Sequence, residues 1–267
     1  MAVPPLPAIL IEPLVRAALV EDLGRAGDIT TDAIVPAAAR AETALVARQK
    51  GVLAGLDLAL LAFRLIDPAI AARLDCRDGD RLSPGDVIAL IEGPARGILT
   101  AERVALNFLC HLSGVASATA GIVEAIAGHG ARVVCTRKTM PGLRAVQKYA
   151  VRVGGGANHR FGLDDAVLVK DNHIAVAGGI APAVERARAA IGHLVKIEVE
   201  IDALAQLEEA LALGVDAVLL DNMGPEELRR AVAFVDNRAI TEASGRITPA
   251  TAPAIAAAGV DLISVGW

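Results

Sequence analysis

The sequence predicts an α/β protein whose chain is written in two different grammars. A mixed α+β stretch covers about residues 12–110, and after residue 130 six short β-branched runs alternate with Ala/Leu/Glu-rich helical intervals, as βα units around a parallel sheet do. Polar residues gather where each run ends, and in parallel α/β architectures the carboxyl ends of the strands are where ligands bind. The natural division places an N-terminal domain at 1–110 and a catalytic domain at 111–267.

In the first stretch, Pro13–Leu23 carries helical spacing of apolar residues and Asp28–Asp32 (DITTD) has the capping chemistry of a turn. Thr43–Arg48 and Gly51–Ala54 are expected as strands and Leu58–Ile66 as a helix. A turn at Ser83, Pro84, Gly85 and Asp86 leads into a strand at Val87–Ile91. The uncharged stretch Val104–Val123 has membrane length, yet its Asn107, His111, Ser113, Ser117 and Thr119 point to a buried helix.

The six expected strands are Arg132–Cys135, Ala166–Val169, Leu194–Val199, Ala217–Leu220, Ala239–Glu242 and Asp261–Val265, with helices at Gln206–Leu213 and Glu226–Val235. Six units are too few for an eight-fold barrel of about 250 residues. A smaller barrel and an open doubly wound sheet both fit the pattern. The polar clusters at the strand ends are Thr136 to Thr139, Lys170 to His173, Glu198 with Glu200, Asp221 with Asn222, Glu242 with Ser244, and Ser264 with Gly266.

Composition excludes several classes of function. The 267 residues carry 26 basic and 31 acidic side chains, a net charge of −5, and only 2% aromatics. That is the wrong sign for phosphate backbones or anionic lipid, and it leaves no stacking platform for single-stranded nucleic acid. Cys76, Cys110 and Cys135 are odd in number and widely spaced, so neither a disulfide framework nor a zinc knuckle is expected, and a reducing cytoplasm fits. No basic residue precedes Arg16, so the N-terminus lacks the charged segment of a signal peptide.

Charge is unevenly placed along the chain. Residues 132–170 hold eight basic and two acidic side chains, in a chain that is acidic elsewhere. Arg137, Lys138, Arg160 and Lys170 flank apolar runs or a glycine loop, and forked guanidiniums together with compact ammoniums suit a small polyanionic ligand. Gly154, Gly155 and Gly156 give a loop whose backbone can approach such a ligand, or a plain surface turn. Neither a P-loop nor a GxGxxG motif is present. Glu198 and Glu200 share one strand face and, with Asp221, serve either as structural ion pairs or as ligands for Mg²⁺ and sugar hydroxyls. His111, His129 and His193 lack metal-ligand spacing, whereas His159 and His173 lie inside the polar clusters.

At these residues the sequence resembles the quinolinate phosphoribosyltransferase family. The strings that carry the resemblance are EDLGRAGDITTD (Glu21–Asp32), AERVALNFL (Ala101–Leu109), TRKTMPGLR (Thr136–Arg144), QKYAVRVGGGANHRFGL (Gln147–Leu163), VKDNHI (Val169–Ile174), EVE (Glu198–Glu200), LLDNM (Leu219–Met223), EASG (Glu242–Gly245) and SVG (Ser264–Gly266). They run in family order across nearly the whole chain.

The resemblance implies an N-terminal α/β sandwich plus a C-terminal six-stranded α/β barrel of the type II phosphoribosyltransferase kind. It also implies a homodimer with shared active sites, which a hexamer would extend, and no nucleic-acid or membrane partner. The implied reaction converts quinolinate and phosphoribosyl pyrophosphate, with Mg²⁺, to nicotinate mononucleotide, pyrophosphate and CO₂ in NAD biosynthesis. Carried over by position, Arg137, His159 and Arg160 resemble the clamp on the quinolinate carboxylates, with Arg103 the similar arginine supplied across the dimer and Thr136 supporting the ring pocket. Lys138 and Lys170 resemble the lysines that contact both substrates; Glu200 and Asp221 match the acids that hold the ribose hydroxyls and Mg²⁺. Ser244, Gly245 and Gly266 match the donors to the 5′-phosphate.

Two departures from the family pattern stand out. The family continues past S-V-G with a Leu/Thr-His-Ser segment and a strand-like tail, while this sequence ends at Trp267, which bears on the phosphate contacts expected near Gly266. Arg246 follows EASG where a small or neutral residue is common, as a further phosphate contact or a solvent-facing side chain. Rival readings are the molybdate-transporter-associated homologue, a Schiff-base lyase using Lys170, and a non-catalytic anion-binding module.

Overall fold

The computed structural model describes residues 3–266; Trp267, on which the expectation about the chain end rests, lies outside them. The chain forms two compact units. Residues 1–120 and 140–155 make the first, residues 121–139 and 156–267 the second.

The first unit begins with helices α1 (Ala8–Leu23) and α2 (Ile29–Ile34). Asp28 caps α2 by accepting the Thr31 N–H at 2.9 Å, so the DITTD segment is a short helix with its cap rather than a turn. Strands β1 (Arg40–Val46) and β2 (Gly51–Val52) precede helix α3 (Leu56–Ile66), followed by β3 (Ala71–Leu74), β4 (Arg81–Leu82) and β5 (Val87–Pro94). The three strands β1, β5 and β3 form an antiparallel sheet in that order, and β2 pairs with β4. Strands β3 and β4 escape a sequence reading because neither alternates: β3 is exposed throughout and β4 is two residues long.

The core of this unit is built from Val15, Leu53, Ala59, Phe63, Ile91, Ala105 and Leu112, all nearly or wholly buried. Full burial of one large apolar side chain such as Phe63 stabilises by about 1.5–3 kcal/mol. Helix α3 commits Leu58, Ala59, Leu61, Ala62 and Phe63 to that core, and Gly55 starts it in the left-handed region at φ +93°. A β-carbon at Gly55 would lie 2.7 Å from Leu112 Cδ1. Leu112 belongs to α4 (Ala95–Ala125), a 31-residue helix long and apolar enough to cross a bilayer by composition. Its Ala101, Val104, Ala105, Leu109 and Leu112 are instead packed into the core of the first unit. A boundary at residue 110 falls inside this helix, and the chain passes from one unit to the other at residues 120 and 121.

Helix α5 (Arg144–Val153) also belongs to the first unit, placing Val146 and Ala150 in its core. The Tyr149 hydroxyl donates to Asp78 at 2.8 Å, and Asp78 accepts the N–H groups of Gly55 and Leu56 as well. Gly154 ends α5 against α4: a β-carbon there would meet Ala116 O at 2.3 Å and Thr119 Cβ at 2.8 Å. The first glycine of the triple-glycine loop is thus required by helix packing.

The second unit contains β6 (Arg132–Val134), β7 (Val167–Val169), α6 (Asp171–Ala177), α7 (Ile180–Ala190), β8 (Ile197–Ile201) and α8 (Ala205–Ala212). It continues with β9 (Ala217–Asp221), α9 (Pro225–Val235), β10 (Ile240–Ser244), α10 (Ala252–Ala256) and β11 (Leu262–Ser264). The six strands are all parallel, in the order β6-β11-β10-β9-β8-β7, so β7 to β11 are neighbours in sequence and in space and β11 returns beside β6. This is the α/β barrel arrangement, with helices between successive strands covering a core of Val199, Ile201, Val218, Leu220, Leu228, Ala231 and Ile263. Beyond β6, Val134 bridges to Ala157.

All five residues of β8 are buried, and the strand lies two to three residues later than the apolar run Leu194–Val199 suggests. A strand covered on both faces lacks the apolar and polar alternation that marks a register.

The contact of Gly154 with α4 sets an expected outcome. Gly154→Ala should lower the unfolding free energy by about 1–3 kcal/mol, since the nearest obstacle is a main-chain carbonyl. Urea titration of the two proteins checks it.

Candidate active site

Every strand of the second unit points its carboxyl end the same way, so the residues that end β6 to β11 share one rim. At the end of β6, Thr136 Oγ1 accepts the Lys138 N–H at 3.0 Å. Gly266, just after β11, fits closely beside both: a β-carbon on it would lie 2.8 Å from Thr136 Oγ1 and from Lys138 Cδ. Between these, Arg137 is half-buried and its Nε is buried without a hydrogen-bond partner. Arg160 is half-buried too; burial lowers its pKa and the like charge of Arg137 lowers it further. One guanidinium nitrogen of Arg160 donates to Ala166 O at 3.2 Å. Two neighbouring guanidiniums, one with an unsatisfied buried donor, form a receptor for an anion bearing more than one oxygen.

Beneath these cations lie buried acids. His159 Nε2 is 2.8 Å from Glu198 Oε2 and 3.5 Å from Glu242 Oε2. Glu198 is 8% exposed and Glu242 only 1%. The hydrogen bond to Glu198 pulls the His159 pKa up, against burial, with the Glu242 charge adding to the rise. Against this, Nδ1 accepts the Arg160 N–H at 2.7 Å, an arrangement open only to a ring carrying its proton on Nε2. Burial, followed by the Glu198 charge, pushes the Glu242 carboxyl up to about 7. Its Oε2 has no hydrogen-bond partner.

A second acidic group stands at the ends of β8 and β9. Glu200, Asp202 and Asp221 each present a carboxylate oxygen, all within 4.8 Å of one another. Lys170, at the end of β7, donates to Glu200 Oε2 at 2.6 Å. The Asn222 side chain donates to Asp221 Oδ2 at 2.6 Å, and its backbone N–H donates to Ser244 O at 2.8 Å. Asn222 takes φ +54°, a left-handed backbone that asparagine tolerates. Gly245 at φ +111° lies so close to Asn222 that a β-carbon would fall 2.2 Å from Oδ1. Glycine is the residue that this crossing of loops admits.

The structure therefore brings together Thr136, Lys138 and Gly266; Arg137, His159 and Arg160; Lys170, Glu200 and Asp221; and Ser244 and Gly245 beside Asn222. Arg103 belongs to the first unit, exposed on α4, where with Lys50 and Glu102 it lines an open cleft of about 870 Å³. His173 has a local role: its Nδ1 accepts the Lys170 N–H at 3.0 Å at the start of α6. Asp202 escaped the sequence reading, although Glu198, Glu200 and Asp202 stand at alternate positions, the period that places strand residues on one face.

The raised Glu242 carboxyl links stability to pH. A group raised in the fold gives stability at low pH that is lost as pH rises through its folded value. Unfolding free energy should therefore fall between about pH 5 and about pH 8, and Glu242→Gln should flatten that decline, as denaturant titration at several pH values checks.

Comparison with known proteins agrees with this geometry across both units. The family models for the N-terminal and C-terminal domains of quinolinate phosphoribosyl transferase match residues 28–113 and 115–267. The carboxylating nicotinate-nucleotide pyrophosphorylase of Mycobacterium leprae is 46% identical over 94% of this chain and 90% of its own length. The probable carboxylating nicotinate-nucleotide pyrophosphorylase of Bacillus subtilis is 42% identical over 96% of this chain and 88% of its own. The crystal structure of NadC from Streptococcus pyogenes superposes with a TM-score of 0.95 at 44% identity, covering 98% of this chain and 93% of that one. With both domains matched in order and the strand-end residues assembled as described, the chain belongs to the quinolinate phosphoribosyltransferase family.

Proposed function

We propose that this protein transfers a phosphoribosyl group from phosphoribosyl pyrophosphate to quinolinate with decarboxylation, giving nicotinate mononucleotide, pyrophosphate and CO₂ for NAD synthesis. The observation that carries this reading within the molecule is the Arg137–Arg160 pair with its buried, unpartnered Arg137 Nε, a receptor shaped for a dicarboxylate. Thr136, next to Arg137, borders the aromatic ring of that substrate. Lys138 and Lys170 add positive charge on either side, and Arg103 is assigned to the same dicarboxylate from a partner subunit.

The ribose side falls to Glu200 and Asp221, whose oxygens suit the 2′- and 3′-hydroxyls, and to Ser244, Gly245 and Gly266 for the 5′-phosphate. Glu200, Asp202 and Asp221 supply hard oxygen donors close enough to fit Mg²⁺, which when bound offsets charge on the pyrophosphate leaving group. The pyridine nitrogen forms its bond to the ribose C1 as the C1–oxygen bond to pyrophosphate breaks, through an oxocarbenium-like transition state. The protein's part is positioning and preorganised charge, and no protein nucleophile is needed. Quaternising the nitrogen stabilises the carbanion left when the C2 carboxylate departs as CO₂, and a proton then enters at C2; Lys138 is the cation assigned to deliver it.

The lyase alternative is disfavoured by the position of Lys170. An imine-forming lysine acts as a neutral amine, whereas Lys170 is ion-paired to buried Glu200.

Quinolinate labelled in its 2-carboxylate should release labelled CO₂ in step with nicotinate mononucleotide, and nicotinate should support neither product. Nicotinate lacks one carboxylate and so leaves part of the arginine pair unmatched. Arg137→Ala should lower kcat/KM for quinolinate on the order of 100-fold with the fold retained on circular dichroism. Near-normal turnover by that variant would remove Arg137 from the clamp.

A further inference from the structure

Glu242 is the most buried acid of the barrel, and neither the binding of substrate nor the chemistry proposed above uses it. It lies on β10, flanked by β9 and β11, with its side chain among groups from several elements. Glu198 approaches from β8, His159 from the segment after the glycine loop and Ser264 from β11. Arg160, which feels the Glu198 charge, and Arg137 beside it are the nearest cations of the clamp.

One proton cannot serve both acids. The neutral His159 ring has a single N–H, on Nε2, and Glu198 at 2.8 Å is placed to accept it. Glu242 Oε2, at 3.5 Å, has no donor. An ionised Glu242 would be a buried anion next to a second carboxylate, with the Ser264 hydroxyl as a donor but Oε2 left without one; the neutral acid avoids the larger penalty of burying that charge. The net charge beneath the clamp depends on this choice. With Glu242 neutral, Glu198 alone opposes the two guanidiniums; with it ionised, two carboxylates do.

We propose that Glu242 is a positioning residue kept as the neutral acid, which leaves His159 bonded to Glu198 and to the Arg160 backbone and preserves the positive charge of the arginine pair toward a dicarboxylate. It acts through Glu198, His159 and Arg160 and does not touch substrate. The proposal rests on the reading of Arg137 and Arg160 as the quinolinate clamp. The upward displacement of Glu242 toward neutrality, caused first by burial, agrees with it.

Calorimetric titration of the purified protein with quinolinate at about pH 6 and about pH 8.5 tests the binding half. The dissociation constant should rise about tenfold across that interval as Glu242 ionises. In Glu242→Gln, whose amide has the charge of the acid at every pH, the rise should disappear. A purely structural role would not move that pH dependence. A rise of wild-type size in Glu242→Gln overturns the proposal. So does an affinity more than about tenfold weaker than wild type already at pH 6, the signature of a lost ionised pair.

Infrared difference spectroscopy of the wild-type protein between the same pH values needs no variant to fold. It should show a protonated-carboxyl band at the lower pH that is lost at the higher, and its absence overturns the proposal. Wild-type protein that binds no quinolinate at either pH removes the dicarboxylate reading and the proposal with it. Quinolinate binding without a titrating acid band removes the proposal alone.

Discussion

Glu198, Glu200 and Glu242 are buried in a parallel sheet lined mostly by Val, Ile, Leu and Ala, and the free-energy cost of placing acids there governs what surrounds them. Each acid needs a cation, a donor or a proton. Lys170 reaches Glu200 from the end of β7, and His159 reaches Glu198 from the loop after α5. Glu242 has the Ser264 hydroxyl, with His159 3.5 Å from its Oε2, and burial first, then the Glu198 charge, raises its carboxyl. The site can thus be seen as a set of compensations for buried charge, placed where the strands end.

The same arrangement separates two tasks along one rim. The guanidiniums of Arg137 and Arg160 crowd together, and their mutual repulsion is relieved by an anion. The carboxylates of Glu200, Asp202 and Asp221 crowd together in turn, a situation relieved by a cation or by hydroxyl donors. The proposed substrate pair, with carboxylates at one end and ribose hydroxyls and pyrophosphate at the other, matches this division. The glycines at the rim serve it by size: Gly245 beneath Asn222 and Gly266 against Thr136 and Lys138 occupy places where a β-carbon would collide.

Legibility in the sequence followed the physical signals available. The six parallel strands could be read because short β-branched runs recur with helical intervals between them, and the clustering of Thr136, Arg137, Lys138, Lys170, Asp221 and Ser244 at run ends pointed to the rim. Strands β3 and β4 could not be read, being exposed or two residues long, and β8 was displaced because a wholly buried strand has no alternation to set its register. Gly154 suggested ligand approach from its neighbours; its contact with Ala116 is a helix-packing requirement that only the folded chain shows.

The sequence by itself determined the six strand runs of the second half, the uneven charge and the family to which the strings from Glu21 to Gly266 belong, because periodicity, residue type and local spacing are properties of a chain read in one dimension. The tertiary structure alone decided which charges meet. Asp202 joins Glu200 and Asp221, His173 accepts from the start of its own helix, and His159 meets Glu198 and Glu242, the latter 83 positions away. Electrostatic interaction depends on separation in space and on the burial of both partners, and neither quantity exists until the strands have taken their places beside one another.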